Sequence, residues 1–141
     1  MTAAITFAEV AEQVRALLAA LAQAQDDGRT EELLSLYAED GIVGVPGLGC
    51  FAGANALREA FAGWAPTVPQ RHIVANTLVN DWDADSARAT SDVVFVQRGE
   101  SGWAVATVAR YRDTFRNADG TWTLARRSME FIGVTGGRPS L

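Results

Sequence analysis

The sequence predicts an α+β domain: three N-terminal helices packed on a curved, mainly antiparallel (mixed) β-sheet that encloses a pocket as a cone. Three observations predict it. Helical spacing of apolar residues is confined to the first half of the chain, up to about Trp64, while the second half alternates like strand almost throughout. Those strands are long enough that their twist must curl the sheet and give it a concave face. The would-be inner faces also mix polar residues (His72, Asn76, Ser91, Gln97, Thr107 and Tyr111) with apolar ones, more than a solid core carries, as a lined pocket would.

Each element has its own reasons. In the stretch Thr6 to about Gln25, Phe7, Val10, Val14, Leu17, Leu18 and Leu21 recur every three or four residues, an amphipathic helix. Thr6 and Glu9 form a capping box, and Asp26-Asp27-Gly28 ends the helix with a glycine suited to the left-handed cap. A short second helix is expected with Thr30 as its cap, Glu31 and Glu32 at its positive end and Leu33, Leu34, Leu36 and Tyr37 as contacts. Ile42 to Val45 reads as strand, Pro46 to Gly49 as turn and Cys50 to Ala52 as the return of a small hairpin. Ala54 to Gly63 is a third helix, closed by Pro66 and Pro69. Strands follow from about His72 to Asn80, Ser86 to Gln97, Trp103 to Asn117 and Thr121 to Ile132, the last two joined by Asn117-Ala-Asp-Gly120. The chain reads as one domain over 1–141, with a core of about 6–133 and a loose tail over 134–141.

Composition narrows the function classes. Hydrophobic residues make up 48% and charged residues 21%, the balance of a globular domain. A net charge of −5 offers no basic surplus for phosphates, so a nucleic-acid partner is not expected. The single cysteine, Cys50, cannot staple the fold, and no Cys/His cluster has metal-ligand spacing. No basic leader precedes an apolar run, and no stretch reaches the roughly 18 apolar residues of a membrane span. A cytoplasmic setting, with no metal and no cofactor, is the expectation.

His72 is the only histidine. Simple alternation puts it on one face with Val74, Asn76 and Leu78, at the front of a strand. It is the one side chain here whose ordinary pKa allows proton exchange near neutral pH, so the question is whether a carboxylate reaches it. Asp26, eight residues beyond Leu18 on the first helix, still projects towards the buried side. Tyr37, Phe51, Trp64 and Phe131 read as pocket wall, with Gln97 and Met129 on the same inner faces. Arg110, Arg112 and Arg116 form an outer stripe with Asp92 within reach.

The segment Asp26-Asp-Gly-Arg-Thr-Glu-Glu-Leu-Leu-Ser-Leu-Tyr-Ala-Glu-Asp40, with Tyr111-Arg-Asp-Thr-Phe115 and Asp119-Gly-Thr-Trp-Thr-Leu-Ala-Arg-Arg127, resembles a SnoaL-like domain of the nuclear-transport-factor-2-like superfamily. The resemblance covers about Phe7 to Ile132. Within that group the layout is most similar to scytalone dehydratase and hexachlorocyclohexane dehydrochlorinase, which pair an aspartate with a histidine base. Their aspartate falls on Asp26, seven residues before Leu33, and their histidine on His72. The dehydrochlorinase's pocket arginine falls on Arg127, five residues after Trp122, but its pocket lysine falls on Leu21; the dehydratase's second histidine falls near Gln97.

The resemblance implies a cofactor-independent lyase or isomerase acting on a small, mostly apolar, cyclic or polyketide-like molecule. His72 would be the base, Asp26 its orienter and Arg127 the stabiliser of a developing anion, although of the neighbours Arg126 and Arg127 only one can point inward and the sequence leaves open which; Tyr111 and Asn76 would hold a carbonyl or hydroxyl. It also implies a homodimer. The alternatives are a non-catalytic ligand-binding or oligomerisation domain, or an accessory subunit like the β chain of ring-hydroxylating dioxygenases.

Overall fold

The computed structural model of the chain describes residues 3–134. Helix α1 spans Phe7–Asp26, α2 Thr30–Ser35 and α3 Ala54–Gly63; the strands are β1 Tyr37–Val45, β2 Gly49–Ala52, β3 Gln70–Trp82, β4 Ser86–Gly99, β5 Gly102–Ala118 and β6 Thr121–Val134. The six strands form one sheet in the order β2-β1-β6-β5-β4-β3, antiparallel except for the parallel pair β1–β6. The result is the α+β cone: a curled, unclosed mixed sheet with the helices over its concave face. The expected loose tail lies outside the described residues, apart from Val134, which ends β6.

Helix α1 forms as its caps require. The Glu9 amide donates to Thr6 Oγ1 at 3.3 Å and the Thr6 amide donates to Glu9 Oε2 at 2.7 Å. Its apolar stripe (Val10, Val14, Leu17, Leu18, Leu21 and Ala24) packs into the main core with Leu57, Phe61, Phe115 and Leu124. Ala87 and Ala89 on the inner face of β4 belong to the same core, and their small side chains leave room for the helix leucines.

Two expected boundaries move. Thr30 is the first residue of α2 rather than its cap, and Arg29 precedes it without a side-chain cap bond. Tyr37 starts β1, five residues earlier than the expected strand, pairing with Leu124 before a register shift towards Ile42. Gly41 sits in that shift, where a Cβ would come within 2.8 Å of the Ala38 carbonyl oxygen.

Bulges correct the simple alternation in three strands. In β3, Asn76 adopts φ +53°, the left-handed region that asparagine tolerates better than most residues, and the register slips between Ala75 and Leu78. Thr77 and Val79 therefore face inward, while Leu78 is exposed. In β5 the slip beyond Thr107 puts Val105 opposite Val96, so Val105 and Trp103 leave the inner face and are exposed. In β6 Ala125 and Ile132 are extra residues, and the one at Ala125 matters for the site.

Candidate functional site

The site is built where the end of α1 meets the start of β3. The helix stops at Asp26 because Gly28, at φ +69°, lets the Gly28 amide bond the Gln25 carbonyl and the Arg29 amide the Ala24 carbonyl. That double closure holds the Asp26 carboxylate over the first residues of β3. Asp26 Oδ1 accepts from His72 Nδ1 at 2.6 Å and from Gln70 Nε2 at 3.2 Å; Oδ2 accepts from the His72 backbone amide at 2.7 Å. The two side chains of the pair are 3% and 6% exposed, which removes water as a competing partner. A carboxylate only accepts, so in the neutral imidazole the proton sits on Nδ1 and Nε2 carries the lone pair. The ring is stacked on Phe95, 4.4 Å between centroids, which fixes its plane.

His72 lines a cavity inside the cone with Gln25, Tyr37, Val43, Phe61, Trp64, Val93, Phe95, Thr107, Tyr111, Arg127, Met129 and Phe131. The cavity is narrow, about 30 Å³. A larger and more open groove, about 450 Å³, runs outside the cone between α1 and the edge strand β3. Its lining includes Arg15, Ala19 and the run from His72 to Thr77, but the paired titratable groups converge in the cone, which is the candidate site.

The bulge at Ala125 turns Arg127 into the cone and leaves Arg126 exposed. Asp113 meets Arg127 in a two-pronged bond: Nε donates to Oδ1 at 2.8 Å and Nη2 to Oδ2 at 2.9 Å. The guanidinium carbon also lies 3.7 Å from the centre of the Tyr111 ring. Burial alone would weaken the guanidinium's hold on its proton, but the Asp113 charge and hydrogen bonds outweigh it and raise the pKa above the ordinary value. Burial pushes the Tyr37 phenol up to about 12, against the opposing charge of Arg127. Tyr111 is raised for the same reason. Both phenols therefore stay protonated as hydrogen-bond donors.

The other expected site residues separate. Tyr37, Tyr111, Trp64, Met129 and Phe131 line the cavity. Asn76 does not: the bulge turns it outward, where its amide donates to Asp92 at 3.1 Å. Phe51 stands one layer behind, edge-on to Trp64 with ring centres 5.2 Å apart, and is not part of the lining. Gln97 is half-buried opposite Gln70 and likewise outside the lining. Asp92 accepts from Arg110 on the outer face, as expected of that stripe. Asp113, Gln25, Gln70 and Phe95 were not singled out by sequence reasoning. Asp113 shares a strand face with Tyr111 and Phe95 shares one with Ser91 and Gln97, and those spacings were the available signals; Gln25 and Gln70 gave none. Among the described residues no three His, Cys, Asp or Glu side chains gather to hold a metal. No helix among them is long and apolar enough to cross a membrane.

The model of the SnoaL-like domain matches residues 7–128. The chain belongs to the SnoaL-like family. Similar solved structures include a protein of unknown function from Mycobacterium tuberculosis, 25% identical over 94% of this chain and 76% of its own, with a TM-score of 0.82. A candidate scytalone dehydratase from Novosphingobium aromaticivorans is 21% identical over 92% of this chain and 88% of its own, TM-score 0.81. A protein from Catenulispora acidiphila in complex with S-DNPA is 22% identical over 88% of this chain and 94% of its own, TM-score 0.79. The last two likenesses concern the fold alone. A search of curated proteins finds no match. SnoaL-like membership accounts for the cone, and a fold of this kind does not by itself fix a function.

Proposed function

We propose that this SnoaL-like domain is a lyase or isomerase that needs no cofactor and works on a small, mostly apolar organic substrate, cyclic or polyketide-like. His72 Nε2 takes a proton from the substrate, and Asp26 holds the ring's tautomer and stabilises the imidazolium formed. Arg127, fixed by Asp113, offsets negative charge developing on a carbonyl oxygen or leaving group, and Tyr111 positions that oxygen. The observation that carries this reading is the buried 2.6 Å contact between His72 Nδ1 and Asp26, in a ring that also lines the cavity. The expected test result is that His72→Ala, still folded, loses turnover on screened eliminations and isomerisations by about a hundred- to ten-thousand-fold. Asp26→Asn should lose activity too, with ¹⁵N spectra showing the His72 ring released from a single tautomer. Full turnover in His72→Ala would sink the reading.

A second reading has an observation in its favour. A cavity of about 30 Å³ holds little more than a water or two, whereas small-ligand pockets usually run to roughly 300 Å³ or more. A module that opens to hold a small hydrophobe unchanged fits this as well, and tight binding without product after long incubation would favour it. In either case we place a homodimer contact on the outer sheet face, where Ile73, Trp103 and Val105 are exposed; sedimentation of Val105→Lys against the parent chain tests it.

A further inference from the structure

The polar groups lining the cavity differ in how much hydrogen-bonding capacity the protein itself uses. Arg127 commits Nε and Nη2 to Asp113. Both oxygens of Asp26 are taken by His72 and Gln70. By contrast, the side-chain amide of Gln25 and the hydroxyl of Tyr111 have no hydrogen-bond partner among the described residues. Yet no fully buried side-chain nitrogen or oxygen among those residues lacks a partner. The polar atoms of Gln25, which is half-buried, and of Tyr111, which is buried, are therefore open to accessible space, and both residues line the cone cavity, Gln25 at its boundary with a smaller neighbouring pocket. Gln25 directly precedes Asp26 at the end of α1, so its backbone is held by the same double closure that positions the base pair.

The fixed charges add a second constraint. Arg127 is the one lining residue with a permanent charge, and it is already matched to Asp113, while Asp26 and Asp113 stand behind the lining as the partners of His72 and Arg127. An anionic ligand would give up its hydration and find no unmatched cation. An uncharged ligand carrying a carbonyl or hydroxyl would meet an amide that both donates and accepts, and a phenol that donates.

We infer that Gln25 is a specificity-determining residue of this cavity, reading with Tyr111 the oxygen of an uncharged carbonyl or hydroxyl compound and disfavouring carboxylates. This rests on the proposal that the cone is a ligand site and adds what kind of ligand it takes. It concerns binding, so it stands or falls separately from His72 chemistry. A ligand of one ring also requires the half-buried Trp64, Met129 and Phe131 side chains to move, since the cavity as it stands is too small.

The test uses three probes of nearly one shape on the full chain, followed by NMR titration: acetophenone, benzoate and ethylbenzene. The expected result is that acetophenone binds on the order of tenfold more tightly than either of the others. Gln25→Leu should cut acetophenone binding by a similar factor and leave ethylbenzene unchanged or improved. Benzoate binding as tightly as acetophenone would overturn the inference, because Arg127, although paired with Asp113, would then also compensate the full charge of a carboxylate ligand and not only charge developing on a neutral one. So would a Gln25→Leu variant that keeps the acetophenone preference. Failure of all three probes to bind at millimolar concentration would overturn it together with the ligand-site reading. Loss of the preference with His72-dependent turnover intact would remove this inference alone.

Discussion

Asp113 and Arg127 stand opposite each other on β5 and β6 and share two hydrogen bonds, 2.8 and 2.9 Å long, with both side chains almost wholly out of water. An ion pair at that depth is costly to desolvate and stays charged only while each partner satisfies the other. It fixes a cation at the wall of the cavity without leaving it free to collapse onto Asp26.

Breaking the pair from one side should therefore be severe. Asp113→Asn is expected to lower stability by about 3–5 kcal/mol, because Arg127 remains buried with its charge unmatched. Replacing both, as Asp113→Leu with Arg127→Met, should cost much less than the two single changes added together. Urea unfolding of the four proteins completes the cycle. Additive losses would mean that the two residues do not act as a unit.

Alkaline pH should destabilise the fold through its two tyrosines. The folded state holds the Tyr37 proton up to about 12 against an ordinary value of 10.0, and Tyr111 shifts in the same direction. Above pH 10 the unfolded chain releases protons that the folded chain keeps, so stability falls as pH rises. The Tyr37 contribution is fully present below about 10 and lost by about 12, amounting to roughly 2–3 kcal/mol. Denaturant unfolding across this range, with tyrosinate absorbance followed in parallel, checks the sign. Tyr37→Phe should flatten much of the decline, and a decline of unchanged size would assign it elsewhere.

The bulge at Asn76 should show in stability as well. At φ +53° a β-branched residue is strained, so Asn76→Val is expected to cost about 1–2 kcal/mol, while Asn76→Gly should be close to neutral. Both variants lose the exposed bond to Asp92, so the difference between them reports the backbone alone. If thermal unfolding ranks valine level with glycine, the backbone at this point is not held in the left-handed region.

How far the site was legible follows from the kind of interaction each residue makes. Asp26 and His72 were paired through the resemblance to the Asp–His branches of the family; locally, His72 stood out as the only histidine on an alternating run and Asp26 only as part of the Asp-Asp-Gly stop of α1. The hairpin was visible locally, since Asp119 and Gly120 both adopt positive φ and Asp-Gly is a sequence suited to that turn. Arg127 was only half visible. Counting back from the hairpin without a bulge sets Arg126 opposite Asp113, and the extra residue at Ala125 replaces it with Arg127. Asn76, expected in the pocket, went the other way through its own bulge.

The sequence by itself determined the helices with their stops, the long strands and hence the α+β cone, because periodicity, caps and turn residues act over a few positions. Only the tertiary structure decided which side chains share the cavity. A strand's side chains alternate with a period of two, so one inserted residue reverses every later assignment, and whether a bulge forms depends on partners far away in the chain. The Asp113–Arg127 pair, the outward turn of Asn76 and the unpaired amide of Gln25 all belong to that second kind of information.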